Sequence, residues 1–168
     1  HELNIAFIGN INEAKGSKII YELKELILKE KLPINIKVIG TTTVHSKSYK
    51  SEDGILEVHG KYERKEIANL LKQYEISIVI IPSICPETFS YTTSEAIASG
   101  YPIITFNIGA PAERVKRYDA GWVLEGYSAS SILSLLKKLL KDRNAIIEKS
   151  HSIKKIKEFN NNFGKRGD

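Results

Sequence analysis

Two glutamates, Glu87 and Glu95, stand with seven residues between them in the segment PETFSYTTSEAIASGYPIITFNIGAPAE. A carboxylate held in a crevice accepts hydrogen bonds from ligand hydroxyls, each contributing roughly 1.5–3 kcal/mol when one partner is charged. A short helical pattern over residues 90–99 begins between the two acids. The backbone N–H groups of residues 89–92 would then point at an anion, and the helix dipole adds on the order of 0.3–1 kcal/mol. A second reading of Glu95 is local: Thr92 lies three residues before it, the spacing of a capping box that closes on the backbone. The loop NINEAKGS, bounded by Gly9 and Gly16, carries Lys15 ahead of a helical pattern. Glycine, a helix N-terminus and an ammonium make a corner that favours phosphate; a tight turn with a surface lysine is the plainer alternative. Carboxylates for hydroxyls and helix ends for phosphates together point to a ligand with both, a sugar nucleotide.

Other chemistries lack their residues. Lys15 precedes Gly16, so the loop is not a Gly-Lys-Ser/Thr phosphate loop, and a single glycine at the strand end is not a dinucleotide fingerprint. No Gly-x-Ser-x-Gly elbow surrounds Ser90 or Ser94. Cys85 has no neighbouring base and reads as a buried or rim thiol. His45, His59 and Cys85 lack metal-ligand spacing. Phe7, Tyr91, Phe106 and Trp122 are scattered rather than interleaved with a basic stripe, so they read as core or cleft wall and not as base-stacking platforms.

The elements that must position these groups alternate along the chain. Strands are expected at 3–8, 34–39, 56–59, 76–81, 103–106 and 121–124, three of them stopping at Gly9, Gly40 and Gly60. Residues 76–81 are apolar on both alternating faces, as in a strand buried on both sides of a parallel sheet. Helical patterns follow at 19–27, 63–74, 90–99 and 111–117, then behind Ser128 or Ser130 with Ile132, Leu135, Leu136, Leu139 and Leu140 as the inner face, and last at 144–159. Residues 41–54 read as a polar loop. The expected fold is α/β, a Rossmann-like doubly wound parallel sheet of about six strands. Residues 1–168 form a single domain in this reading, with 144–168 as a C-terminal helix and tail.

Composition agrees with that scale. The 168 residues are 42% hydrophobic and 27% charged, proportions of a soluble globular protein with no run long enough to span a membrane. Much of the +5 net charge lies near the C-terminus, in residues such as Lys137, Lys138, Lys141, Lys149 and Lys154. A solvated helical face is the first reading, and attraction to an anionic ligand or a membrane surface the second. One cysteine permits no intrachain disulfide and fits a reducing, cytoplasmic compartment.

The glutamate segment resembles the signature of the group 1 (family 4) glycosyltransferases, retaining enzymes of the two-domain GT-B fold. The match runs through Glu87, Glu95, Ala96, Ala98, Gly100 and Pro102, and GAPAE through Glu113 is similar to a later turn of the family. FIGNINEAKGS resembles the strand, glycine, loop, lysine and glycine near the start of the same domain. The resemblance implies the C-terminal half of the fold, which binds the nucleotide-sugar donor. Carried over by position, Glu87 would contact the donor sugar and Glu95 the ribose hydroxyls. Phe89, Ser90, Tyr91 and Thr92 would offer backbone groups to sugar and diphosphate. Lys15 with Gly9 would neutralise the diphosphate leaving group, making Lys15 and Glu87 the catalytic pair, and Lys61 with Tyr62 would border the base.

The family needs no bound metal, so no cofactor is expected beside the nucleoside diphosphate sugar. Two positions depart from its pattern. Asn10 stands where many members carry arginine, and Ser90 where glycine is frequent. The acceptor-binding N-terminal half is the missing partner, so these residues alone are expected to bind donor without transferring sugar. No nucleic-acid partner is expected, and a peripheral membrane contact would belong to the longer chain. A non-catalytic sugar-nucleotide-binding or interaction module is the alternative.

Overall fold

The computed structural model describes residues 1–85 and 91–163, with side chains over 1–85 and 91–155. In chain order the elements are β1 (Leu3–Ile11), α1 (Ser17–Glu30), β2 (Ile34–Thr42), β3 (Tyr49–Lys50), β4 (Leu56–Val58), a 3-10 turn (Arg64–Glu66), α2 (Ile67–Gln73), β5 (Ile78–Ile81), α3 (Tyr91–Ala98), β6 (Ile103–Phe106), α4 (Gly109–Tyr118), β7 (Gly121–Leu124), α5 (Ala129–Lys141) and α6 (Arg143–Phe163). They build a seven-stranded sheet in the order β3-β4-β2-β1-β5-β6-β7. All neighbouring strands are parallel except β3, which pairs antiparallel with β4. The chain winds outward from β1 through β2 and β4, then returns to the other side of β1 with β5. That reversal is a topological switch point, and such sheets bind ligands there, outside the carboxyl ends of the strands.

Both faces of the sheet are covered. Ile78 and Ile80 of β5 pack with Ile5 and Phe7 of β1, Ile20 and Leu23 of α1 and Ile132 and Leu136 of α5. Val79 and Ile81 pack with Ala6 and Ile8 on the other face, against Leu71 of α2, Ala96 of α3 and Val115 of α4. All four residues of β5 are therefore buried, which is why its apolar run does not alternate with polar residues. Each such side chain contributes roughly 1.5–3 kcal/mol on leaving water.

The structure corrects several expectations. The sheet has a seventh strand because Tyr49–Lys50, in the expected polar loop, pairs with β4, and Tyr49 stacks on His45 at 3.6 Å. β5 starts at Ile78 rather than at residue 76: Glu75 takes a left-handed φ of 53°, and the Ile76 amide donates to the Leu71 carbonyl to finish α2. Residues 63–74 divide into the 3-10 turn and α2, with Glu63 and Glu66 forming a capping box at the turn. In α5 the inward face uses Leu133, and Leu135 and Leu140 are only partly buried. Ser128 is its cap, accepting from the Ser131 amide at 3.2 Å.

β1 and β2 run two residues past the glycines at which they were expected to stop. Gly9 and Gly40 instead face each other in register, and the Gly60 amide donates to the Gly40 carbonyl at 2.9 Å. A Cβ on Gly40 would lie 2.0 Å from the Gly9 carbonyl oxygen, so no other residue fits that approach. Three adjacent strand ends thus carry a row without side chains, which leaves backbone open at this rim.

Candidate functional site

Beside this row lies a cleft of about 680 Å³. Asn10 enters it from the end of β1, Thr41 from the end of β2, Lys61, Tyr62 and Arg64 from the segment after β4, and Tyr91, Thr92 and Glu95 from α3, which follows β5. The lining therefore comes from both sides of the switch point, at the carboxyl ends of the strands, as doubly wound sheets require of a ligand site. Asn10 is held by Thr41, whose hydroxyl donates to its side-chain oxygen at 3.0 Å.

Among the described residues, Glu95 is the one carboxylate in the lining. The capping-box reading of it fails, because Thr92 lies inside α3 and its hydroxyl donates to the Ile8 carbonyl at 3.3 Å. Glu95 instead pairs with Arg64, whose Nε lies 2.9 Å from Oε1. The Arg64 guanidinium also sits over the Tyr91 ring, 4.1 Å from its centroid, in cation–π geometry. Arg64 thereby ties the segment after β4 to two residues of α3. Burial pushes the Tyr62 hydroxyl pKa up; the positive charge of Arg64 opposes that rise and the Glu95 carboxylate adds to it. On the far side of α3, Arg114 of α4 donates to the Ser94 hydroxyl at 2.5 Å and fixes the helix that carries Glu95.

Lys15 sits next door, in a narrow crevice that it lines with Ile8, Ser83 and Thr92. Thr92 lines both spaces, so the crevice and the main cleft meet at its side chain. The Lys15 loop is shaped by its own backbone: the Asn12 side chain accepts from the Lys15 amide at 3.0 Å, and Gly16 takes a φ of 97°. A Cβ on Gly16 would lie 2.3 Å from the Pro82 carbonyl oxygen, so the loop packs directly on the end of β5. The Ile84 amide donates to the Ala14 carbonyl at 3.1 Å across the same seam. The side-chain ammoniums of Lys15 and Lys61 have no hydrogen-bond or ion-pair partner among the described residues. Cys85, close by, is exposed.

Of the residues singled out from sequence, Asn10, Lys61, Tyr62, Tyr91, Thr92 and Glu95 share the cleft, with Lys15 in the adjoining crevice and Gly9 in the glycine row. Glu87, Phe89 and Ser90 lie outside the described residues. Sequence reasoning missed Arg64, Thr41 and Ser46, which also line the cleft. Arg64 follows Lys61 by three residues in the same segment after β4, and Thr41 follows Gly40 as Asn10 follows Gly9, so both carried a positional signal. Chemically the lining offers a carboxylate and hydroxyls for a ligand's alcohols, and cations for its anionic part. Among the described residues no group of three histidine, cysteine or acidic side chains could hold a metal ion, and no helix is long and apolar enough to cross a membrane.

A family model described as Glycosyl transferases group 1 matches residues 2–159. No curated protein sequence matches the chain significantly. Among solved structures, a sucrose-phosphate synthase from Thermosynechococcus elongatus superposes with a TM-score of 0.67 at 15% identity, over 91% of this chain and 41% of that one. The Anabaena protein HepE, in complex with UDP, superposes with a TM-score of 0.72 at 15% identity, over 92% of this chain and 43% of that one. HepE is also known in complex with UDP-glucose. The C-terminal domain of LpcC, a group 1 family glycosyl transferase from Francisella tularensis, superposes with a TM-score of 0.67 at 19% identity, over 90% of this chain and 82% of that domain. At these identities the likeness is one of fold. The chain spans about two fifths of the length of the first two proteins.

Proposed function

The chain belongs to the group 1 glycosyl transferases, and from that premise we propose that it is the donor-binding part of a retaining enzyme that moves a sugar from a nucleoside diphosphate to an acceptor. One observation carries the proposal: Glu95, Lys61, Tyr62 and Thr92 share a cleft of about 680 Å³ at the switch point, and Thr92 links it to Lys15. In this reading Glu95 accepts the ribose hydroxyls, and Lys61 and Tyr62 border the base. Lys15, with the backbone around Gly9, meets the diphosphate and stabilises its charge as the sugar departs, the usual electrostatic route to lowering such a barrier. Glu87 contacts the donor sugar, and the backbone of Phe89, Ser90, Tyr91 and Thr92 serves sugar and diphosphate. The cations take up the leaving charge, so the reading calls for no metal cofactor.

Acceptor binding belongs to a further half of the enzyme, and the present residues are expected to hold donor without transferring sugar. A cytoplasmic setting is part of the same reading, supported by an exposed free thiol. UDP is the first ligand to try because HepE is known with it. Calorimetry with UDP, ADP and GDP should reveal binding of at least one, and Glu95→Ala should weaken that binding by roughly 10- to 100-fold. Absence of binding to all three, or an unchanged affinity in Glu95→Ala, overturns the proposal.

A second reading, a sugar-nucleotide-binding module without catalysis, draws on Asn10, which contributes an amide held by Thr41 rather than a cation. An enzyme containing both halves decides between them: release of nucleoside diphosphate from the sugar nucleotide favours catalysis, and binding without release favours the module.

A further inference from the structure

The donor reading leaves Arg64 without a part, although it pairs with Glu95 and sits over the Tyr91 ring across the cleft. We infer that Arg64 is a specificity-determining residue, which keeps Glu95 engaged against ligands that offer only hydroxyls and yields it to ligands that also bring phosphate. The inference rests on the donor-binding reading and deepens it.

Arg64 comes from the turn after β4, while both its partners, Glu95 and Tyr91, belong to α3 on the opposite wall. A diol that takes both oxygens of the Glu95 carboxylate must therefore displace, or share Oε1 with, a guanidinium already 2.9 Å away. The pair is accessible enough to exchange: its side chains are 55% and 29% exposed, and exposed ion pairs are weak. Exchange has an electrostatic consequence. Once Glu95 turns to a neutral diol, the guanidinium loses its anion in a cleft that already holds the ammonium of Lys61, which has no partner among the described residues. A nucleoside brings nothing to replace that anion, whereas a nucleoside diphosphate does. The planar fork of a guanidinium matches phosphate oxygens two at a time, which an ammonium cannot do. The diol and the phosphates of one ligand thus favour each other's binding through a single side chain.

The test compares a nucleoside diphosphate with its own nucleoside, UDP with uridine and likewise for ADP and GDP, by calorimetry on the wild-type chain and on Arg64→Ala. In the variant the nucleoside should bind about 3-fold tighter, because Glu95 is released. The diphosphate should bind about 10-fold weaker, because its guanidinium partner is gone. The ratio of the two affinities should therefore collapse by roughly 30-fold. A general structural defect would lower both affinities together, and an unchanged melting temperature confirms that the variant is folded. Arg64→Lys should keep only part of the ratio, since it retains charge without the fork. In a Glu95→Gln background, Arg64→Ala should no longer tighten nucleoside binding.

If the wild type binds a nucleoside diphosphate and the ratio is the same in Arg64→Ala, this inference fails while the donor reading stands. If the wild type binds no nucleoside diphosphate, both fail.

Discussion

Two ion pairs in this molecule have nearly the same length and opposite surroundings. Lys24 and Asp53 meet at 2.8 Å with side chains 17% and 18% exposed, whereas Arg64 and Glu95 meet at 2.9 Å with side chains 55% and 29% exposed. Asp53 meets three donors: besides Lys24 it accepts from the Ser51 hydroxyl and from the Ile55 amide at 3.0 Å. Burial pushes the Asp53 carboxyl pKa up, but Lys24, Ser51 and Ile55 outweigh it and bring the group down to about 2. The same partnership raises the Lys24 pKa. Glu95 has Arg64 as its one hydrogen-bonding or ionic partner among the described residues and faces the cleft. A carboxylate that meets three donors, with both oxygens engaged, fastens the 51–55 turn onto α1, while one with more capacity to spare on a cleft wall is available to a ligand. Pair length alone does not separate structure from function; the remaining hydrogen-bonding capacity does.

The contrast can be broken at either pair. Glu95→Ala should have the larger effect, a loss of roughly 10- to 100-fold in nucleoside diphosphate affinity with a melting temperature within a few degrees of wild type. A variant that instead melts early with its affinity intact would reverse the roles assigned to the two pairs. Asp53→Asn should do the opposite: about 1–2 kcal/mol of stability lost, a melting shift of a few degrees for a chain of this size, and no change in affinity.

The smallest effect is in acid. A carboxyl whose folded pKa is depressed stabilises the fold above its unfolded pKa, about 4, and that contribution disappears as pH falls toward the folded pKa of about 2. Lowering the pH from 7 to 3 should therefore narrow the stability gap between wild type and Asp53→Asn by on the order of 1 kcal/mol, measured by urea unfolding at the two values. A gap that stays constant would mean that Asp53 acts through its shape and not its charge.

Much of this arrangement was readable along the chain, and the exceptions share a cause. β6 and β7 fall at the expected residues because an apolar run and a flanking glycine are local signals. Glu95, Lys61 and Tyr62 were singled out through a family resemblance, Glu95 by its spacing from Glu87 and the other two by position, and the fold brings the three into one cleft. Arg64 was missed because its meaning depends on α3, which lies about thirty residues away in sequence. The capping-box option for Glu95 was reasonable within four residues and lost to a tertiary contact, the bond from Thr92 to the Ile8 carbonyl. β3 escaped notice because two exposed residues at a sheet edge need no hydrophobic alternation; pairing with β4 is what makes them a strand. Periodicity reports what each segment prefers alone, and a cleft is assembled from segments that meet only after folding.

The Lys15 loop and the end of β5 meet in a seam of direct backbone contact. Gly16 rests on Pro82, and the Ile84 amide is donated to Ala14, so the loop that offers the ammonium is stitched to the strand leading toward Glu87. A polyanion drawn to Lys15 would brace that stitch, and deuterium uptake at the single amide of Ile84 would slow on occupancy. The proton of one apolar residue thereby becomes a built-in gauge of charge arriving at its neighbour.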